Sequence, residues 1–232
     1  MKQKETLSTT LLNEEHIDLS NLLIEEMGDQ HKASSIETPL RADAFDISDE
    51  QKIAAIVPHF KAIMEILGMD LRDDSLRGTP LRVAKMYVDE IFWGLNYDLF
   101  PKCTTVDNKM NYDEMVVERN VSVQSNCEHH FVIIDGLATV AYVPNNKVLG
   151  LSKINRIVEY FSKRPQIQER LTEQIFHALC YILETEDVAV MIDAQHYCVK
   201  SRGVEDTGSS TITSRLGGGF KSDPAARAEF LN

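Results

Sequence analysis

Apolar residues recur every three or four positions in the N-terminal third of the chain, which is the spacing of one face of a helix. The first such stretch, residues 11–27, ends at a glycine and predicts an amphipathic helix. Residues 31–46 have no clear period and are typical of a linker. A second helix is predicted from Ser48, where Gln51 completes a capping box and apolar residues follow to Gly68.

The pattern changes in the middle of the chain. Thr79 and Pro80 predict the start of a third helix, because proline is favoured at the first helical position. From Met115 onward, alternating and β-branched residues predict strands. Asp135 and Gly136 predict a hairpin turn between two of these strands.

Two helices and two strands are predicted after that hairpin. Ser152 is predicted to cap one helix, and Pro165 is predicted to begin the next. Strand patterns return over residues 187–199 and 209–216. This order of elements favours an α+β fold, with antiparallel strands and helices layered on one face of the sheet.

The composition is that of a globular protein. With 232 residues, 43% of them hydrophobic, the chain can build a sizeable core. We expect residues 1–46 to form an N-terminal helix and linker, and residues 47–232 to form the main domain. The sequence has no secretory signal and no membrane-spanning run, and its four cysteines are too few for a disulfide scaffold. The expectation is a soluble cytoplasmic protein that does not bind membranes.

The charge of the chain bears on its partners. A net charge of -12 disfavours binding to nucleic acids, because their phosphates attract cationic proteins. The charge is uneven, however, since residues 147–170 carry six bases against two acids. A small anion could therefore be held by a local positive field.

Two short clusters contain most of the metal-capable side chains. Cys127, His129 and His130 lie in one, and His196 and Cys198 lie in the other. Cys127, His130 and Cys198 are the favoured ligands, because a catalytic zinc keeps three protein ligands and leaves its fourth position to water. A zinc finger is disfavoured, since its ligand pairs lie roughly 12–20 residues apart.

The geometry expected for these clusters leaves histidines for proton transfer. A turn within the first cluster aims His129 differently from His130, which leaves His129 free to move protons. In the second cluster, alternation along a strand puts His196, Cys198 and Arg202 on the same face. Three alternatives stay open, namely hydrogen-bonded histidines, ordinary buried thiols, and a structural zinc closed by His129 or His196.

Two predicted helix starts carry candidate nucleotide-binding residues. Ser152, Lys153 and Arg156 lie on an opening turn, where backbone N–H groups favour an anion such as a polyphosphate. A solvated basic helix face explains the same residues. Gln168 and Glu169 open the next helix, where an acid stabilises the helix by default, and a carboxylate there could also accept hydrogen bonds from the edge of a guanine.

Several segments, in order along the chain, resemble GTP cyclohydrolase I of the bacterial type. They are residues 79–86 (TPLRVAKM), 125–131 (SNCEHHF), 150–158 (GLSKINRIV), 164–171 (RPQIQERL) and 196–203 (HYCVKSRG). The resemblance extends from about Ile53 to Phe230, whereas residues 1–45 match only loosely and the chain stops soon after Phe230.

The resemblance implies a tunnelling fold, a ring-shaped homodecamer and active sites shared between neighbouring subunits. It places Zn²⁺ on Cys127, His130 and Cys198, and the acid/base roles on His129 and His196. The substrate positions that it implies are Ser152, Lys153, Arg156 and Arg202 for the triphosphate, with Arg82 and Lys85 helping, and Gln168 and Glu169 for the guanine.

The activity that the resemblance implies is zinc-dependent hydrolysis of GTP at guanine C8. Formate would leave, and the remainder would rearrange to 7,8-dihydroneopterin triphosphate, the entry to folate-type pterins. The alternative is a noncatalytic nucleotide-binding ring with a structural zinc. Zinc-dependent purine deamination is disfavoured, because the His-x-Glu and Pro-Cys-x-x-Cys signature is missing.

Overall fold

A computed structural model of the chain describes residues 34–232. Residues 35–232 form one compact unit. The helix predicted over residues 11–27 lies outside the described residues, and the boundary at residue 46 stays a prediction. Helices and strands both contribute extensively to the unit, which confirms the predicted α+β class. No helix within residues 34–232 is long and apolar enough to cross a bilayer.

The helices and strands have the following bounds. The helices are α1 (Asp49–Ile66), α2 (Thr79–Lys85), α3 (Leu151–Ser162), α4 (Gln168–Leu183), α5 (Tyr197–Lys200), α6 (Gly218–Ser222) and α7 (Pro224–Leu231), with a π-helical segment at Met86–Ile91 and 3-10 turns at Trp93–Leu95 and Tyr97–Leu99. The strands are β1 (Thr105–Asp107), β2 (Val116–Cys127), β3 (Ile133–Tyr142), β4 (Lys147–Leu149), β5 (Pro165–Gln166), β6 (Val188–His196) and β7 (Thr211–Leu216).

The main sheet has five strands in the order β5-β2-β3-β6-β7. All neighbours in it are antiparallel except β5, which pairs in parallel with the end of β2. A separate two-stranded sheet joins β1 and β4. The end of β2, the start of β3 and the end of β6 therefore lie side by side at the same end of the sheet.

The two long helices after the first hairpin cover one face of this sheet. Their apolar stripes, which include Ile154, Ile157, Leu171 and Ile175, are buried against inward-facing strand residues such as Val140. The short helices α6 and α7 pack on strand residues of the opposite parity, so they cover the other face. The prediction of helices on one face therefore holds for α3 and α4 but is wrong for α6 and α7, which cover the opposite face.

Two helix starts follow the prediction. The Ser48 hydroxyl accepts from the Gln51 N–H at 3.3 Å, and the Gln51 side chain accepts from the Ser48 N–H at 2.8 Å, so the capping box before α1 is confirmed. The helix is followed by Gly68, whose φ of +83° suits a glycine. Pro80 lies in the first turn of α2, as predicted.

Two other helix starts were predicted wrongly. Gly150, not Ser152, is the N-cap of α3, and it makes no side-chain cap. Pro165 does not begin a helix, because it lies in the edge strand β5, where a proline costs no ladder hydrogen bond on its open side. Pairing with Asn126 outweighs the local helix signal, and α4 begins only at Gln168.

The hairpin predicted at Asp135 and Gly136 is also wrong. β3 runs through both residues, and the turn between β2 and β3 lies upstream, where Phe131 has a φ of +53°. Gly136 has a packing role instead. A Cβ there would overlap the Asp193 carbonyl oxygen and the Cβ of Ala194, so only glycine lets β6 approach this closely.

Candidate active site

The two predicted groups of metal-capable side chains meet where β2 and β6 end, at the same end of the main sheet. β2 ends at Cys127 and β6 ends at His196, on either side of the start of β3. Ile134 pairs with His196 on one side, and Ile133 pairs with Asn126 on the other. Segments that are distant in sequence are therefore adjacent in space.

The favoured ligands converge as the sequence predicted. One donor atom each from Cys127, His130 and Cys198 lie within 4.8 Å of one another, and the Cys127 Sγ is 4.0 Å from the His130 Nδ1. Zinc binds sulfur at about 2.3 Å and nitrogen at about 2.0 Å, so donors on one ion lie roughly 3.5–4 Å apart. The donor set therefore fits zinc with small adjustments.

Cys198 does not lie on a strand with His196, so the predicted strand alternation of these residues is wrong. The strand ends at His196, and residues Tyr197–Lys200 form a single helical turn closed by a 3.0 Å bond from the Ser201 N–H to the Tyr197 carbonyl. This turn, not strand alternation, brings Cys198 to Cys127. Burial and the neighbouring Cys127 thiol raise the pKa of Cys198, a penalty that a bound cation would reverse.

Positive groups surround His130. Partial desolvation, together with the nearby Arg202 and His129, lowers the pKa of His130. A lowered pKa keeps its imidazole neutral at neutral pH, which is the form that binds a metal. The charge of Arg202 therefore acts on His130, one of the three clustered donors.

His129 lies beside the ligands without belonging to their mutual group. Its Nδ1 is 3.6 Å from the Cys127 Sγ, and its Nε2 is 3.9 Å from a Glu128 carboxylate oxygen. Among the residues that the structure describes, only the three favoured ligands form a mutually close set.

His196 is held by a buried glutamine. Its Nε2 is 2.7 Å from the Gln168 Oε1, while the Gln168 Nε2 donates to the carbonyl oxygens of Ile192 and Thr211. Because both amide hydrogens are used, the Gln168 oxygen must accept from a protonated His196 Nε2. The Nδ1 of a neutral His196 is then the unprotonated nitrogen. Burial lowers the pKa of His196, and Glu169 opposes that shift.

The predicted phosphate-binding residues lie elsewhere in the same chain. Ser152 and Lys153 are at the start of α3, whereas the end of α3 leads into β5, which pairs with Cys127. A helix rises about 1.5 Å per residue, so Ser152 is roughly 15 Å from Ser162 along the axis. Within one chain, most of the length of α3 therefore lies between its first turn and the strand pairing at Cys127.

Comparison with known proteins agrees with these features. The sequence model of GTP cyclohydrolase I matches residues 56–232. A protein named GTP cyclohydrolase 1 from Aeromonas hydrophila is 60% identical over 200 residues, which are 86% of this chain and 91% of that protein. The chain belongs to the GTP cyclohydrolase I family.

Other GTP cyclohydrolase I relatives show similar coverage. The protein of that name from Shewanella sp. (strain ANA-3) is 59% identical over 85% of this chain and 90% of its own length. The one from Flavobacterium johnsoniae is 56% identical over 90% of this chain and 93% of its own length. The similarity thus extends across the whole site region.

The sequence did not predict an ion pair next to the candidate metal site of this GTP cyclohydrolase I family member. The Arg170 guanidinium, with a side chain only 3% exposed, pairs with the Glu128 carboxylate, which is 16% exposed. Arg170 also donates through Nε to the Ser35 carbonyl oxygen at 2.8 Å. Glu128 lies between Cys127 and His129, so the pair holds the turn that carries the ligands.

An aromatic cluster supports the same turn from the other side. The ring of Phe131, next to His130, lies 5.9 Å from the ring of Tyr87 and 5.1 Å from the ring of Phe92. Tyr87 belongs to the π-helical segment that continues α2. Arg82 and Lys85 are exposed on α2, one turn before this contact. The spacing of apolar residues along the predicted helix did not predict these aromatic contacts with Phe131.

Proposed function

We propose that this chain hydrolyses GTP at guanine C8, releases formate and rearranges the remainder to 7,8-dihydroneopterin triphosphate. The observation that carries the proposal is the convergence of Cys127, His130 and Cys198 with two further histidines, His129 and His196, beside them. Relatives named GTP cyclohydrolase 1 support the same reaction.

Cys127, His130 and Cys198 would hold Zn²⁺. When bound, zinc would supply Lewis-acid chemistry, which lowers the pKa of water to about 7 and so provides a nucleophile for C8 at neutral pH. His196, held by Gln168, presents its Nδ1 to receive or return a proton. His129 would be its partner in acid/base catalysis, since histidine transfers protons in both directions near neutral pH.

The substrate would be bound by charge and by base recognition. Arg202, close to His130, suits the triphosphate, and Glu169, close to His196, suits the N–H edge of guanine. Ser152, Lys153 and Arg156 would contact the phosphates from a neighbouring subunit, because their own chain keeps them at the far end of α3. Arg82 and Lys85, exposed on α2, would add to the phosphate site, and Gln168 would contribute at the guanine site through its neighbour His196.

We infer that the chain assembles in the cytoplasm as a homodecamer of tunnelling-fold subunits. A shared site supports the assembly, and so does the apolar side of α1. Ile63, Ile66 and Leu67 remain exposed in the single chain, although their spacing is that of a buried helix face. The oligomer should have a mass ten times the 26.3 kDa of one chain.

Purified protein incubated with GTP tests the proposal. We expect formate, and a fluorescent pterin after oxidation of the product. Tight GTP binding without formate would instead identify a noncatalytic binding ring, and release of ammonia would identify a deaminase.

Cys198→Ser connects turnover to the metal centre. Loss of one of three ligands should remove zinc and turnover together, as measured by metal analysis and formate release. His129→Ala is the matched control, and it should keep zinc while losing turnover. Stoichiometric zinc with a normal rate in Cys198→Ser would contradict the ligand assignment.

A further inference from the structure

A second cavity lies apart from the candidate active site. It has a volume of about 620 Å³, opens to solvent, and is lined by α3, α4, the 3-10 turn at Tyr97–Leu99 and residues 36–38. None of the proposed metal, catalytic or GTP-binding residues lines it. Its walls are largely aromatic, with Tyr97, Phe100, Tyr160 and Phe161 among them. The volume is within the range of small-molecule sites, roughly 300–1,000 Å³.

A buried cation forms part of this cavity. Arg164 is only 5% exposed, and its Nε donates to the Gly94 carbonyl oxygen at 2.7 Å. Its guanidinium lies 4.6 Å from the ring centre of Tyr160 and 4.9 Å from that of Phe161. Among residues 34–232, no carboxylate lies within 4.0 Å of it.

The environment of Arg164 is incomplete for a buried charge. Desolvating a guanidinium without an anion is unfavourable, and aromatic rings offset only part of that cost. Most buried arginines gain a carboxylate or phosphate, which the planar fork of donors binds in a bidentate manner. The cavity beside Arg164 leaves room for such an anion.

An orphaned hydroxyl lines the same cavity. Thr38 is 7% exposed, and its Oγ1 is buried without a hydrogen-bond partner. A buried hydroxyl left unpaired is costly, so a partner is expected. The Gln174 side chain, which lines the same cavity, bonds instead to the Ile36 carbonyl through Nε2 and to Gln166 through Oε1. Thr38 is therefore a polar group with unused hydrogen-bonding capacity in the wall of this cavity, and Arg164 is a positive charge there without a carboxylate partner.

We infer that this cavity binds a small aromatic carboxylate. The carboxylate would pair with the Arg164 guanidinium and accept from the Thr38 hydroxyl, and the ring would pack against Phe161 and the Ala178 methyl. This binding site is independent of GTP hydrolysis, because it shares no residue with the proposed catalytic centre.

Isothermal titration calorimetry with 2-naphthoate and its neutral analogue 2-naphthamide tests the inference on the full-length protein. We expect one naphthoate per chain, with naphthamide binding at least tenfold more weakly because it lacks the charge. Thr38→Val, which removes only the hydroxyl, should weaken naphthoate binding by about fivefold, the effect of one hydrogen bond.

Ala178→Trp locates the site, because the indole would fill the cavity and should abolish naphthoate binding. Ala228→Trp is the matched control, since Ala228 is exposed on α7 outside the cavity. Both variants should keep wild-type GTP turnover, which shows that they are folded. The inference is overturned by the absence of naphthoate binding to the wild type, by equal affinity for naphthamide, or by unchanged binding in Ala178→Trp.

Discussion

The Gln168 side chain has two competing candidate roles, recognition of guanine and positioning of His196. The family resemblance implies that it recognises guanine, yet its amide hydrogens are already bonded to the carbonyls of Ile192 and Thr211. It is 1% exposed, and its oxygen accepts from His196. Glu169, the next residue, is exposed and is therefore the better placed of the two to meet a base. These contacts favour Gln168 as a positioning residue for His196.

Gln168→Ala separates the two roles. If the side chain positions His196, kcat should fall by about 100-fold, because small misplacements of a catalytic group cost that much. The KM for GTP should change by less than about threefold, and zinc content should stay at the wild-type level. In the control Glu169→Ala, the KM should rise instead. A raised KM with normal kcat in Gln168→Ala would assign it to guanine recognition.

The chemistry of individual residues explains which parts of the site were predictable. Cysteine and histidine are few in this chain and bind soft metals, so their two clusters marked Cys127, His130 and Cys198 as candidate ligands, although residue type alone does not separate His130 from His129. The Glu128–Arg170 pair could not, because the two residues are 42 positions apart and each is also a plausible surface charge. Pairing at that distance depends on the fold.

Secondary-structure elements were predictable where the signal is local. The start of α1 was predicted because a capping box needs only Ser48 and Gln51, and the buried stripe of α3 because it repeats along one helix. The errors at Gly136 and Pro165 have one cause. Each residue type suits a turn or helix start in isolation, but contact with another strand determines its conformation here.

An ion pair between α4 and the β2–β3 turn should stabilise the fold. Glu128→Gln removes one charge of a pair that is mostly buried, leaving Arg170 uncompensated. Unfolding free energy, measured in urea, should fall by about 3 kcal/mol. Glu65→Gln is the control, because the Lys61–Glu65 pair is exposed and should contribute nothing measurable. An unchanged urea midpoint in Glu128→Gln would show that the pair does not hold the turn.

At the scale of the whole molecule, the separation between the two parts of the proposed site is informative. The proposed metal ligands lie at one end of the sheet strands, and Ser152, Lys153 and Arg156 are in the first half of a helix whose opposite end leads into β5, which pairs with Cys127. We expect a single GTP to contact the two groups from different subunits, because within one chain the length of α3 lies between them. No periodicity in the sequence reveals this, because a sequence pattern describes one chain.

Mixed oligomers test whether sites are shared. His129→Ala and Arg156→Ala should each be nearly inactive alone, the first through chemistry and the second through weakened GTP binding. Co-expressed subunits should regain part of the formate-releasing activity, since some sites would combine an intact His129 with an intact Arg156. Co-expression of His129→Ala with His196→Ala is the control, and it should regain nothing, because both residues belong to the same half. Absence of recovery in the first mixture would place the whole site within one chain.

The strand pairing around Cys127 makes the two sides of the metal site unequal. Its N–H donates to Val132 at 2.8 Å, and the next N–H, of Glu128, donates to Gln166 at 3.0 Å, whereas Cys198 lies in a single helical turn. Zinc should therefore bind to a rigid side of the site at Cys127 and order a more mobile side at Cys198. Amide hydrogen exchange should slow on zinc addition in residues 197–202 and stay unchanged in residues 124–127. Equal slowing in both segments would argue against a Cys127 side that is rigid before zinc binds.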